Sequence, residues 1–440
     1  MNLRRYLGVA LLAFGSFTTS AFGQSFYWNT TSAQSVALGG VYVPSSSDVL
    51  DAIAANPAGL TTLTRPTLNA NVSLFFARGS FSNSVNSNAP MTTSPGAVPY
   101  GAFGMPIGHS RFSFGLGFTP ELMAASDWKY VDAPGTLGVT YGLQEQKSAI
   151  LAGRAAGGFG VRINSRLSIG ATVGADYNSN TLHAPYIFQS QPVLKGTKTL
   201  LDLHTTGSGW NTSVGVLAVP TKKVQVGLAW KSRTVINSTG TATGDASALF
   251  TALGAGSAPS TFTYSAKVQN VLPQSLLASV AWYANPRWIL AFQTNWVNWQ
   301  NSFVTLPVTL TNGTNAVINS VAGSTSLVDG VPLNWKNQYS YHMGAERLVT
   351  ESSSVRFGYA YANSPVPDST LTPLTAAIMS NQISAGYVYR RGNSRIDAAY
   401  AFAFTANQSV QQSGLQAGEY NNSSVHVGTQ TVTLGYTYVF

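Results

Sequence analysis

The sequence predicts one transmembrane antiparallel β-barrel of about fourteen strands, with a small N-terminal hatch that plugs its lumen. The first observation behind this prediction is the composition. Only 9% of the 440 residues are charged, against about 25% in a typical soluble domain, although 44% are hydrophobic and 11% are aromatic. After the N-terminal segment, no apolar run reaches the roughly 18 residues that a membrane-spanning helix needs. This composition indicates strands with one apolar face and one neutral polar face.

The second observation is that apolar residues alternate with small or polar residues. Successive side chains of a strand face opposite sides, so alternation predicts one apolar face and one polar face. Between 431 and 440, every second residue is Val, Leu, Tyr or Phe. Tyr and Phe near the ends of such segments match the aromatic girdles of membrane barrels. The same pattern recurs at 112–119, 168–177, 224–231, 338–344, 354–361 and 396–405.

The third observation is that short and long connections alternate along the chain. Strict alternation is typical of outer-membrane barrels, which have short periplasmic turns and long outer loops. It predicts that both termini lie on the periplasmic side. Short turns are expected at 108–110, 164–166, 221–222, 285–286, 350–352 and 392–393. Long connections are expected at 79–97, 120–145, 184–208, 240–273, 302–336, 363–379 and 407–428.

The first 23 residues have the pattern of a secretory signal peptide. Arg4 and Arg5 precede an apolar stretch at 7–17, and small residues at 21–23 form a cleavage site. Removal of this segment lowers the formal net charge from +9 to +7, because it takes away two arginines. The barrel is then expected to span residues 67–440. The chain has no cysteine, and closed barrels need none because hydrogen bonds between strands close them.

Residues 24–66 do not alternate and form a separate segment. Ser47 or Asp48 is placed to cap a short helix that ends before Pro57. So many small and apolar residues exceed what a simple tail needs, so a hatch folded into the lumen is favoured over a periplasmic extension. The stretch Asn56, Pro57, Ala58 and Gly59 is its most distinctive part.

Several motifs together resemble those of a known family. In their order and spacing, on a predicted barrel with a signal peptide, they resemble the FadL/TodX (OMPP1) type of outer-membrane transporter for long-chain fatty acids and hydrocarbons. The resemblance covers essentially the whole mature chain. It departs after Pro373, where residues 374–377 replace an acidic element that is frequent in the family. The matching stretches are 37–40, 56–60, 296–299, 335–338, 355–359 and 364–368.

The resemblance implies passive import of hydrophobic molecules. It implies an apolar capture groove on outer loops, a binding site above the hatch and a lateral opening made by a kink in the third strand. Here that strand is expected at 111–119. Pro120 cannot donate a ladder hydrogen bond, and Gly115 and Gly117 weaken the same strand. These three residues are therefore the candidates for a lateral gate.

The capture groove and the binding site that the resemblance implies suggest candidate ligand-binding residues. Leu122, Met123 and Trp128 are expected in an outer loop, where they would expose apolar side chains to a ligand. A carboxylate ligand would need a cation in the lumen. Arg154 and Lys336 are the main candidates, and the further ones are Arg162, Arg356 and Arg390. The residues leave open whether the ligand is a fatty acid or an uncharged hydrocarbon.

Other functions have less support in the sequence than transport of hydrophobic molecules. A barrel lipase or protease lacks support, because the five histidines are scattered and no HExxH or G-x-S-x-G motif occurs. A general porin would need more charges in its lumen, and an adhesin role of the loops stays open. No cofactor, metal or nucleic-acid partner is expected. The expected partners are outer-membrane lipid, lipopolysaccharide and the assembly machinery that reads a C-terminal strand ending in Phe440, with the protein itself a monomer.

Overall fold

The computed structural model describes residues 32–45, 47–92 and 95–440. The predicted signal peptide and the first residues of the predicted hatch lie outside these ranges. Fourteen antiparallel strands form the barrel, which confirms the predicted fold and strand number. Pairing of the first and last strands, from Thr67 with Val439 to Ser82 with Ser424, closes the sheet. The barrel strands are β1 (Thr67–Ser82), β2 (Gly96–Pro106), β3 (Phe112–Val131), β4 (Leu143–Arg162), β5 (Leu167–Ile187), β6 (Lys198–Thr221), β7 (Val224–Lys231, continuing as Thr234–Asp245), β8 (Thr261–Leu272, continuing as Ser275–Asn285), β9 (Trp288–Val297), β10 (Gln338–Thr350), β11 (Ser353–Ala362), β12 (Asn381–Arg391), β13 (Ser394–Val410) and β14 (Ser423–Val439).

The other elements are short. None of the helices among the described residues is long and apolar enough to span a membrane. A hairpin of Thr305–Thr311 and Leu327–Pro332 pairs with the outer part of β8, and a two-residue strand, Ala89–Pro90, pairs with β1. The α-helices are α1 (Ala33–Ala37), α2 (Val49–Ala54), α3 (Ser247–Ala252) and α4 (Ala316–Ala322), and 3-10 turns occupy Pro57–Thr62, Thr136–Gly138, Trp299–Asn301, Asp368–Thr370, Pro373–Thr375 and Gln416–Gly418.

The strands keep the predicted alternation within the membrane. In β13, Ile396 and Tyr400 point outward and are exposed, whereas Asp397 and Ala399 are buried in the barrel interior. Outward apolar side chains are favourable there because they contact lipid rather than water.

Most of the long connections are shorter than predicted, because the strands continue beyond the apolar band. The connection expected at 120–145 is only 132–142, and the one expected at 184–208 is only 188–197. In β6, Asp202 and His204 are exposed while Leu203 between them is buried. Here the outward residues are polar and the inward residue is apolar, which is the reverse of the pattern within the membrane. A prediction that looks for outward apolar residues therefore places the end of the strand too early. The alternation of long and short connections is nevertheless retained around the barrel.

The N-terminal segment lies inside the barrel. α1 contacts β11 to β14, α2 contacts β1 to β4, and the 3-10 turn Pro57–Thr62 contacts β2 to β6. Asp48 caps α2 by accepting a hydrogen bond from the Asp51 backbone N–H at 3.0 Å, which confirms the predicted short helix. The segment therefore crosses the lumen at the level of the strand ends that the short turns join.

Candidate functional site

Arginines of the wall hold the N-terminal segment in place. Arg154 Nη1 donates to the carbonyl of Ile53 at 3.2 Å, and Arg356 Nη2 donates to Oε1 of Gln34 at 3.1 Å. Arg162 donates to a third hatch group, a carbonyl of the 3-10 turn. The sequence suggested these three arginines as partners of a ligand carboxylate. In the structure they bind the hatch instead.

Asn56 joins the hatch to the wall on the other side. Its Oδ1 accepts the backbone N–H of Ala58 at 3.1 Å and so caps the 3-10 turn. Its Nδ2 donates to the carbonyls of Val216 at 3.0 Å and Leu228 at 3.4 Å, in β6 and β7. Asn56 is fully buried. It has two roles that depend on an amide, because only an amide side chain accepts one hydrogen bond and donates two others.

Wall glycines make room for the hatch backbone. A Cβ on Gly170 would lie 2.3 Å from the carbonyl carbon of Pro57, and a Cβ on Gly215 would lie 2.0 Å from Oδ1 of Asn56. Neither distance is possible without displacement of the hatch. Glycine at these inward positions thus allows close approach of the hatch to the wall.

Gly115 and Gly117 of β3 also face the hatch. Both are paired in register with β2 on one side and with β4 on the other. A Cβ on Gly115 would lie 2.7 Å from Leu60 and 3.2 Å from Ile53. The missing side chain of Gly115 therefore leaves space for the hatch, and the role of the two glycines in a lateral gate stays a prediction.

The wall is interrupted just beyond these glycines. β2 and β3 pair only from Pro106 with Ser113 to Gly101 with Phe118, whereas β3 stays paired with β4 as far as Val131. The next backbone hydrogen bond on that side of β3 comes at Asp127, whose carbonyl accepts the N–H of Thr92 at 2.8 Å. Pro120 lies at the beginning of this unpaired stretch.

Glu121 forms a β-bulge at the same place. Pro120 pairs with Gly153 and Leu122 pairs with Ala152, so Glu121 is the extra residue between them. A bulge bends its strand and changes the direction of its side chains. The Glu121 carboxylate is buried and forms an ion pair with Lys231 of β7, a strand four positions further round the barrel.

Just after the bulge, both faces of β3 are buried, from residue 122 to residue 125. Met123 lies in one buried cluster with Val98 and Tyr100 of β2. Leu122, Met123 and Trp128 were expected in an exposed outer loop, but they are strand residues and only 1%, 4% and 0% exposed. Trp128 Nε1 donates to the carbonyl of Pro373 at 3.0 Å, so the connection 363–380 folds inward onto β3.

An apolar cavity of about 170 Å³ lies on the loop side of the lumen. Its lining comes from β4, β5, β6, β8 and four connections, and it includes Ser148, Ala149 and Ile150, which pair with β3 after the bulge. None of its lining residues is charged. An engineered apolar cavity of about 150 Å³ stays dry and holds benzene, so this space suits a small hydrophobic molecule.

A cluster of three aromatic residues lies on one side of the cavity. Trp299, Phe303 and Trp335 pack with ring centroids 4.8 to 5.0 Å apart. Phe303 and Trp335 line the cavity directly, and Trp299 lies behind them. Trp299 belongs to the motif stretch 296–299 and Trp335 to the motif stretch 335–338. These two stretches therefore meet in the aromatic cluster beside the cavity.

Strand β5 shows how the layers of the lumen follow one another. Nearest the short turns, Gly170 contacts the hatch. The next inward residues, Thr172 and Asp176, belong to a polar layer with Arg154 and Asn211. Further along, residues 180–182 line the cavity. Along β5, a layer with charged side chains therefore lies between the apolar cavity and the hatch.

The structure does not bring the remaining predicted cations to the cavity. Lys336 is exposed at the surface, and Arg390 pairs with Glu346 at 3.2 Å.

Sequence reasoning missed Glu121 and Lys231, although an acidic residue inside an otherwise apolar strand was a signal. It also missed most of the cavity lining, because those residues come from connections far apart in the chain. Among the described residues, no cluster of three or more His, Asp or Glu could hold a metal ion.

Solved structures share this architecture. A FadL homologue of Pseudomonas aeruginosa aligns with a TM-score of 0.75 at 18% identity, over 94% of this chain and 100% of that chain. The toluene transporter TodX of Pseudomonas putida aligns with a TM-score of 0.74 at 17% identity, over 95% and 100%. The toluene transporter TbuX of Ralstonia pickettii gives 0.74 at 18%, over 94% and 99%. These identities establish a shared fold only.

The sequence itself provides the family assignment. No curated protein matches it at a significant level. It matches the family described as "Outer membrane protein transport protein (OMPP1/FadL/TodX)" over residues 12–440, nearly the whole chain. The family consists of transport proteins rather than enzymes. This chain therefore belongs to the OMPP1/FadL/TodX family of outer-membrane transporters of hydrophobic molecules.

Proposed function

We propose that this protein imports small, uncharged hydrophobic molecules passively and releases them sideways into the outer membrane at β3. The observation that supports this most is the position of the cavity. It is apolar and uncharged, and it lies above a layer with charged side chains. Part of its wall is the stretch 148–150 of β4, which pairs with β3 where β3 is no longer paired with β2.

The charged layer argues against a straight path to the periplasm. An apolar molecule that moved from the cavity past Glu121, Asp176 and Arg154 would lose its apolar contacts, at about 25 cal/mol for each Å² exposed to water or polar groups. It would also disturb buried ion pairs and hydrogen bonds. A path between β2 and β3 leads from one apolar environment into another, so it avoids both penalties.

The lack of a charged lining residue argues for an uncharged ligand. A buried carboxylate is unfavourable unless a cation pairs with it. The buried cations near the lumen already have partners: Arg154 binds Asn211 and the hatch, and Lys231 binds Glu121. The cavity size also favours a single ring over a long alkyl chain, which would extend beyond it.

Filling the cavity tests this proposal. Val268 is buried in the lining, so Val268→Trp is expected to lower both binding and whole-cell uptake of labelled toluene about tenfold, at unchanged surface level. Val214→Trp on the lipid-facing side of β6 is the matched control and should have little effect. Benzoate, which adds a carboxylate to the same ring, should bind much more weakly than toluene. Equal binding of benzoate and toluene would contradict the uncharged ligand class.

We also propose that the short turns and both termini face the periplasm. The chain has no cysteine, so a single introduced cysteine is the one site that a maleimide can label. Leu137→Cys, in an exposed connection, should react with a bulky polyethylene glycol maleimide on intact cells. Ser165→Cys, in a short turn, should react only after the outer membrane is opened. The reverse result would invert the orientation.

A further inference from the structure

The end of the barrel with the short turns carries an unbalanced positive charge. Besides Arg162, which binds the hatch, eight arginine and lysine side chains there are exposed, and Glu351 is the one exposed acidic residue at this end of the described chain. The other acidic residues nearby, such as Glu346 and Asp397, are largely buried and already paired with Arg356. The eight residues, called the basic rim below, are Arg65, Arg111, Arg166, Lys222, Lys223, Arg287, Arg347 and Arg391.

The basic rim has no internal counter-charges. Within the described residues, none of its eight members has an acidic group within 4.0 Å. At the loop end, in contrast, exposed cations are interspersed with exposed acids such as Glu145, Asp202 and Asp368. The net positive charge of the chain is therefore concentrated at one end, where it would repel itself unless anions lay close by.

The cations surround the barrel rather than forming one patch. Five of the six short turns have a cation in them or directly beside them, and Arg347 on β10 lies next to the sixth. Arg65 adds one more beside the closing strand pair. A soluble acidic protein would meet only one side of such a ring. At this height, the layer that surrounds a membrane barrel on all sides is the headgroup region of one leaflet.

Aromatic residues at the same level support a location in the headgroup region. The Arg347 guanidinium lies 5.5 Å from the ring centroid of Trp288 on the outer surface. Tyr436, Tyr389 and Phe440 are exposed near the same rim. Aromatic rings with arginines beside them are typical of a membrane–water interface, where long cationic side chains reach the phosphates.

We propose that the basic rim binds the headgroups of anionic phospholipids, such as phosphatidylglycerol, in the leaflet on the short-turn side. Six of the eight cations are arginines, which bind phosphate oxygens through two parallel hydrogen bonds. Zwitterionic lipids offer the same phosphate together with an ammonium group that opposes the rim charge. The proposal rests on the membrane location of the family and is independent of what the cavity carries.

Lipid selectivity in nanodiscs tests the proposal. The full-length protein is placed in discs with equal parts phosphatidylglycerol and phosphatidylethanolamine, released into mild detergent, and its bound lipids are counted by native mass spectrometry. We expect about a threefold or greater excess of bound phosphatidylglycerol, which should fall when the salt concentration is raised. Equal retention of both lipids by the wild-type protein would overturn the proposal without any variant.

Matched variants locate the effect. Substitution of four rim cations (Arg166→Gln, Lys222→Gln, Lys223→Gln and Arg391→Gln) should remove most of the phosphatidylglycerol excess. Four cations at or near the loop end (Lys129→Gln, Lys195→Gln, Arg233→Gln and Lys267→Gln) give the same change in net charge, and this control should keep the excess. If the control loses as much as the rim variant, net charge and not the rim is responsible. A heat-dependent shift on a denaturing gel confirms that both variants are folded.

Discussion

A variant that lacks residues 24–60 is expected to conduct ions steadily in planar bilayers, whereas the intact protein stays near zero conductance. The described part of this segment is almost entirely buried and crosses the lumen. Its anchors are hydrogen bonds from Arg154, Arg356 and Asn56, none of which the barrel strands need in order to pair with each other. Removal should therefore open a pore and leave the barrel assembled. Equal conductance of the two proteins would contradict the assignment of residues 24–66 as a plug.

A single substitution tests whether displacement of the intact hatch is enough to open the pore. Gly170→Val puts a side chain where the Pro57 backbone lies, so it should push the hatch away and give intermittent conductance. Gly157→Val is the matched control, because a Cβ there meets only the Leu116 side chain at 3.1 Å. Both changes favour a strand conformation. If Gly157→Val conducts as much as Gly170→Val, barrel strain and not hatch docking causes the current.

The barrel was predictable because its signal is local. Inside the membrane, one face of each strand contacts lipid, so apolar residues recur at every second position, as in the segment around Ile396 and Tyr400. The short helix after Asp48 was predictable for the same reason, since a cap and a proline mark its two ends. Outside the membrane the outward face contacts water, and the same strands could no longer be recognised by outward apolar residues.

The candidate site was much less predictable because its contacts are not local. Gly115 has the same sequence context whether it loosens a strand or makes room for Leu60, and only the folded hatch distinguishes the two. Lys231 is more than a hundred residues from Glu121, so no spacing could indicate their ion pair. Arg154 was identified as a lumenal cation, but its partners are a hatch carbonyl and the side chains of Asn211 and Thr172.

Release of the ligand from the cavity through the wall at β3 can be tested by removal of the bulge. Deletion of Glu121 removes the bulge and lets β3 continue in regular register with β4, without the bend that a bulge introduces. The deletion is made together with Lys231→Met, because removal of one partner from a buried ion pair such as Glu121–Lys231 typically costs about 3–5 kcal/mol. We expect whole-cell uptake of labelled toluene to fall by about an order of magnitude, since β3 can then pair with β2 and close the wall. Binding of toluene to the purified protein should persist, because none of the residues that line the cavity is removed.

The matched control keeps the bulge and removes only the charges. Glu121→Gln with Lys231→Met has the same lumenal charge as the deletion variant but retains the extra residue between Pro120 and Leu122. It should take up toluene at close to the wild-type rate. Because both variants lack the two charges, the difference in uptake between them measures the effect of the bulge alone. Loss of binding together with uptake would instead indicate a damaged cavity. Normal uptake by the deletion variant, at normal surface level, would rule out release through the wall at β3 and favour a path past the hatch.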